Sequence, residues 1–178
     1  MVKDVLAFWF NEIAPQQWWQ AEPAFDQLIR QRFNTLLQQA AAGELFGWRA
    51  SAAGRLAEII VLDQFSRNIY RGTPQAFSQD AIALVLAQEA VASGALAQLN
   101  ADERNFLLMP YMHSESRAIH QQAEALFKDY APANNYQFEL KHKVIIDRFG
   151  RYPHRNSIVG RVSTVEEIEF LKLPGSGF

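Results

Sequence analysis

Four groups of side chains in this sequence could do chemistry. Arg148, Arg151, His154, Arg155 and Asn156 crowd into R-F-G-R-Y-P-H-R-N near the C-terminus, with Arg161 just beyond. Planar guanidinium groups suit bidentate binding of carboxylate or phosphate. Asp63 and Arg67 stand four residues apart, and His113 and Glu115 stand two apart. His142 falls within the apolar pattern of Phe138, Ile145, Ile146 and Phe149. A histidine acts as a general base when a carboxylate fixes its tautomer. The candidate ligand-binding residues are therefore Asp63, Arg67, His113, Glu115, His142, Arg151, His154 and Arg155. A pocket that gathered them would be positive at its mouth and would attract phosphate or carboxylate. The same residues have a structural use. The arginines could pair with Asp63, Asp80, Glu103 or Glu115 and lock the loop to the fold, and His142 could be a satisfied core histidine.

Other chemistries lack their patterns. His113, Glu115, His142 and His154 could ligate a metal in principle, but no H-E-x-x-H or comparable spacing is present, so no metal or other cofactor is expected. There is no G-x-S-x-G, no P-loop and no G-x-G-x-x-G. The absence of cysteine excludes disulfides and thiolate ligands and fits a cytoplasmic setting. A net charge of -2 gives no global pull towards nucleic acid or acidic membrane. The basic cluster is short and is followed by Glu166, Glu167 and Glu169, which argues further against nucleic acid. No apolar run is long enough to span a bilayer.

The elements that must position these residues are helical. A hydrophobic content of 49% over 178 residues supports one domain with a sizeable core, ending in a loose Gly-Ser tail from about residue 174. A first helix is expected over Val2 to Phe10, and a long amphipathic helix follows Pro23 to Gly43. A third runs from about Gly54 to Tyr70 and is apolar on every face, so it should be central. Asp63 and Arg67 lie on its inner stripe and should be buried as a pair. Thr73-Pro74 opens the next helix, with Phe77, Ala81, Leu84, Gln88 and Val91 on one side. Asn100 and Glu103 form a capping box for a short helix that Pro110 ends. Ser114 would cap a helix from Glu115 to Tyr130 with an inner stripe of Ala118, Ile119, Gln122, Leu126 and Tyr130. The last long helix starts near Asn134 and stops at Gly150. Pro153 stiffens the loop that follows, and a capped helix spans Val165 to about Leu171. No strand-like alternation occurs, so the fold class is all-α: antiparallel helix pairs in a bundle or a short superhelix.

Three segments carry a resemblance. L-D-Q-F-S-R-N-I-Y-R-G-T-P (Leu62 to Pro74), E-R-N-F-L-L-M-P-Y-M-H-S-E (Glu103 to Glu115) and R-F-G-R-Y-P-H-R-N-S-I-V-G-R-V-S-T-V-E-E (Arg148 to Glu167) resemble a bacterial family known as domain of unknown function 924. The resemblance covers nearly the whole chain. It implies an all-α fold similar to the tetratricopeptide superhelix and no established activity. Ser66 stands where proline is expected, and Tyr152 where phenylalanine is. Two functions follow from the residues. In the first, Arg67, Arg151 and Arg155 hold a small anionic molecule, His113, His142 or His154 moves a proton, and Asp63 or Glu115 orients it. In the second, a tetratricopeptide-like concave face holds a peptide or protein partner.

Overall fold

The third helix is the axis of the molecule, and its sequence explains why. Every residue from Leu56 to Ser66 is buried, so other helices must surround it. The computed structural model describes residues 1–177 and is helical throughout, with no strand among those residues. Helix α1 spans Val2–Ala7 and continues into a π-helical turn at Phe8–Glu12. Helix α2 is Pro23–Ala41. The axis consists of α3 (Ala52–Ile60), a π-helical turn (Val61–Phe65) and α4 (Ser66–Ile69). Then follow α5 (Asp80–Ala92), α6 (Ala101–His113), α7 (Arg117–Tyr130), α8 (Ala133–Phe149) and α9 (Val165–Leu171).

The helices α1, α2, α5 and α6 pack around this axis. Their meeting faces bury Phe8, Trp9, Phe25, Phe33, Phe65 and Phe106 in one aromatic cluster. Phe33 stacks on Phe65 at 4.8 Å between centroids, and Trp9 meets Phe65 edge-on at 5.6 Å. Outside α6, α7 and then α8 form a second layer. A smaller cluster of Ile145, Ile146 and Tyr152, backed by Phe149 and Phe170, joins the C-terminal segment to α8.

Several elements differ from the sequence expectation. The expected helix from Gly54 to Tyr70 runs without a break in sequence from Ala52 to Ile69 but widens into a π turn over Val61–Phe65. Pro110 does not end α6, which runs one turn further to His113. Proline costs an internal hydrogen bond, and burial from Asn105 to Met112 outweighs that here. As a result His113 ends a helix instead of standing in a connector. Helix α7 begins at Arg117, with Ser116 at its cap, and the Ser114 hydroxyl accepts from the Ser116 amide at 3.3 Å. Its buried residues are His120, Ala123 and Phe127, not the expected stripe. Helix α5 likewise buries Ala83, Leu86, Ala87 and Ala90. Helix α9 matches its expected span, with Thr164 and Glu167 in a capping box. In the tail, the Ser176 hydroxyl donates to the Leu171 carbonyl, while residue 178 lies outside the described residues.

One glycine sets how tightly the axis is entered. A Cβ at Gly54 would stand 1.9 Å from the Trp48 carbonyl oxygen, a backbone atom that cannot step aside. Gly54→Ala is expected to destabilise the fold by about 2–3 kcal/mol through overpacking. Urea denaturation of the variant would check this, and an unchanged midpoint would contradict it.

Candidate functional site

The polar centre of the protein is the Asp63 carboxylate. Asp63 sits on the π turn with no exposed surface. Such turns occur mostly as single insertions in α-helices, frequently at functional sites. Three side chains donate to it. Gln64 Nε2 reaches Oδ2 at 2.6 Å, while Arg67 Nη1 and His113 Nδ1 reach Oδ1 at 2.9 Å and 2.7 Å. Arg67 Nη1 also donates to the Asp63 carbonyl at 2.9 Å. Burial works against the Asp63 charge, but Arg67 and His113 overcome it and hold the carboxyl down at about 2. So the expected buried pair is present, and His113 joins it.

From this centre the network runs outwards through Asp80. Arg67 Nη2 donates to Asp80 Oδ2 at 3.0 Å, and Arg155 Nη1 reaches the same oxygen at 3.3 Å. The Arg155 guanidinium lies 4.6 Å from the centroids of both Phe77 and Tyr152, between two aromatic faces. Its Nη2 donates to the His113 carbonyl at 3.1 Å. The buried Nε of Arg155 has no hydrogen-bond partner among the described residues. Gly150, at φ 69°, ends α8 in a left-handed turn, and Pro153–Arg155 form one 3₁₀ turn that aims Arg155 inwards.

The other expected residues divide. Glu115 faces the loop, not Asp63. It accepts from the Tyr152 amide at 2.7 Å and from both terminal nitrogens of Arg161, at 2.7 and 2.8 Å. Despite burial, the Arg161 and Tyr152 bonds keep Glu115 below the ordinary glutamate value. Arg151 does not fold back towards Asp63. It grips Glu167 at 2.6 and 2.7 Å, the same carboxylate that caps α9. His154 lies against Tyr152, with ring centroids 5.5 Å apart, and Gly177 packs beside its Cβ. His142 stands edge-on to Tyr152 at 5.7 Å, and its Nδ1 donates to the Phe138 carbonyl at 2.7 Å. Burial pushes both imidazoles down, His142 to about 3 and His154 to about 4, the latter helped by Arg155. Thus Asp63, Arg67, His113 and Arg155 share one polar centre, His142 and His154 flank it across Tyr152, and Glu115 and Arg151 serve the loop.

Charge at the centre is balanced, contrary to the positive mouth expected from sequence. Asp63 and Asp80 oppose Arg67 and Arg155, Glu115 opposes Arg161, Glu167 opposes Arg151, and Glu166 opposes Arg148. Two surface concavities, of about 150 and 160 Å³, lie elsewhere. One is lined by Arg49, Ser51, Arg55 and Ser93, the other by Leu37, Ser66 and Tyr70. Among the described residues no cluster of three or more histidine or acidic side chains could hold a metal ion. No helix among them is long and apolar enough to cross a membrane.

The chemically distinct atom is His113 Nε2. Nδ1 faces an ionised carboxylate, so it carries the hydrogen and Nε2 carries the lone pair. Nε2 makes no hydrogen bond among the described residues, and the side chain keeps 13% of its surface exposed. Burial first, and the Arg67 charge second, push the imidazole below the ordinary histidine value, against the pull of Asp63. The arrangement is a neutral histidine, oriented by a carboxylate, with its basic nitrogen uncommitted to any described residue. Sequence reading missed His120, Glu139 and Tyr152, which support it. His120 and Glu139 have no exposure and meet at 2.7 Å. The Tyr152 hydroxyl donates to the Met112 carbonyl at 2.5 Å. His120 and Glu139 each stand among several charged residues of an amphipathic helix, which reads as solvated surface.

The model of a family described as a bacterial protein of unknown function, DUF924, matches residues 5–175. Among curated proteins, none matches. A protein of unknown function from Agrobacterium tumefaciens, ATU0120, has a similar solved structure, with 34% sequence identity over 96% of each chain and a TM-score of 0.91.

Two outcomes are expected. Asp63→Ala should cost about 3 kcal/mol or more, because Gln64, Arg67 and His113 would lose their shared buried acceptor and Arg67 would keep only Asp80. A loss of a few tenths in denaturant titration would contradict the geometry. The second concerns acid. His142 and His154 have folded values of about 3 and about 4, below the ordinary 6.5. The unfolded chain therefore takes up protons first as pH falls. Stability present above about pH 6.5 should drop on the order of a few kcal/mol towards pH 4, with a further loss between 3.8 and about 2, where the Asp63 carboxyl takes up its proton in the unfolded chain before the folded one. Melting temperature against pH would show this, and His154→Gln should flatten the upper part of the curve.

Proposed function

We propose that this chain, which belongs to the bacterial family of unknown function DUF924, binds a small molecule with an anionic group beside His113 and takes a proton from it at His113 Nε2. The observation that carries this reading is the dyad itself: a 2.7 Å bond from Nδ1 to a buried, ionised Asp63, with Nε2 taking no partner among the described residues. A dyad of this kind fixes the tautomer and stabilises the imidazolium once the proton has moved. A purely structural pair would gain as much from burying both ring nitrogens, as His120 does.

Arg155 is the group that would hold the anion. Its contact with Asp80 is the longest ion pair of the centre, and its Nε–H is uncommitted. Arg67 is held by two carboxylates and stays with them. Because charges cancel across the centre, long-range attraction would contribute little. Recognition would come from short bonds to the Arg155 guanidinium and to Nε2, framed by Phe77. This favours compact carboxylates or phosphates that also carry an acidic O–H, N–H or C–H near the anionic group.

Thermal shift across a panel of phosphate and carboxylate metabolites tests the reading. A ligand at about 100 times its Kd should stabilise the wild type by roughly 2.7 kcal/mol. Arg155→Ala and His113→Gln should remove that shift. If no anion raises the wild-type melting temperature and Arg155→Ala melts far lower, Arg155 is only an ionic pin and the ligand reading fails.

A further inference from the structure

Three carbonyls at the end of α6 are each taken by a side chain from outside that helix. Met112 O accepts from the Tyr152 hydroxyl at 2.5 Å, His113 O from Arg155 Nη2 at 3.1 Å, and Ser114 O from His120 Nε2 at 2.8 Å. A helix leaves its last carbonyls without amide partners, so these three caps decide where the end of α6 stands. His113 is the middle residue of the three.

The His120 cap requires a particular proton count. Ser114 O is only an acceptor, so His120 Nε2 must carry a hydrogen. The Tyr152 oxygen, 3.2 Å from Nε2, shares it. Nδ1 lies 2.7 Å from Glu139 Oε1. Two lone pairs do not face each other at that distance, so one further proton lies between these atoms. The pair is either imidazolium with carboxylate or imidazole with carboxylic acid, and it is neutral overall in both forms. Neither side chain has exposed surface. Other titratable or charged groups facing the pair are Glu124 of α7, Lys143 and His142 of α8, Tyr152 of the loop, and His113 beside the capped carbonyl on α6.

We propose that His120 and Glu139 are positioning residues, a proton-loaded pair sealed inside the fold that sets where His113 stands. The functional weight of this rests on reading His113 as the proton acceptor, whereas the proton count rests on geometry alone. Burial raises the Glu139 carboxyl above its ordinary value against the opposing His120 bond, which helps the pair retain its proton. Loss of that proton would leave a lone negative charge between α7 and α8 and loosen the grip on Ser114 O.

The test is NMR of the full chain with 15N-labelled histidine, without ligand, so its result is independent of whether any anion binds. In the wild type at about pH 7, His120 Nε2 should carry a directly bonded hydrogen, and a strongly downfield proton should lie between Nδ1 and Glu139. A bare His120 Nε2, or no proton between Nδ1 and Glu139, overturns the proton-loaded pair. Glu139→Gln can donate its amide to a neutral His120 Nδ1, and should leave the His113 titration as in wild type. Glu139→Leu cannot, and the His113 midpoint should move up towards the ordinary histidine range with the helical circular dichroism unchanged. An unchanged His113 midpoint in folded Glu139→Leu overturns the positioning role. Should that variant not fold, Glu139→Asp, shorter by one methylene, is read in its place. A His113 midpoint equal to wild type there overturns the role equally.

Discussion

A carboxylate with no exposed surface must be fully satisfied, and Asp63 meets that demand with three donors from two helices. An isolated buried charge would cost several kcal/mol. The constraint spreads because each donor brings its own requirements. Arg67 needs Asp80, and Asp80 takes Arg155. Arg155 draws in the 152–161 loop, whose Tyr152 and Arg161 need Met112 O and Glu115. One acid on a widened turn therefore organises side chains from the axis, from α5, from the end of α6 and from the C-terminal loop.

The same chain of bonds explains why the site has an inside and an outside. Towards the interior, His120 has both ring nitrogens engaged. Beside Asp63, His113 has one engaged and one without a partner among the described residues. Two histidines seven residues apart thus reach opposite chemical situations, because one ends a helix and the other lies on a buried helical face.

Much of this was legible in the sequence, for identifiable reasons. Glycine and cap chemistry gave the span of α9 and the stops of α2 and α8, because these signals are local. The all-apolar third helix announced its central place, and the i, i+4 spacing announced the Asp63–Arg67 pair. The π turn was not legible, since one extra residue in a turn leaves no mark in composition. Pro110 misled because burial overrides a local breaking tendency only in three dimensions. The inner face of α7 was misread because His120 looks polar until Glu139, nineteen residues on, is placed against it. Arg151 reads as free to hold an anion because nothing in the sequence shows that one carboxylate, Glu167, both caps α9 and grips it.

The arginines of the 152–161 loop close long stretches of chain. Arg155 meets Asp80 across 75 residues, and Arg161 meets Glu115 across 46. Such contacts return nothing until the intervening chain is ordered, so loop-closure entropy places them late on the folding route. Interactions that form after the transition state govern the unfolding rate far more than the folding rate. The loop is in that sense a latch, engaged last on a bundle whose helices have already collapsed. Its arginines act on how long the native state persists once formed.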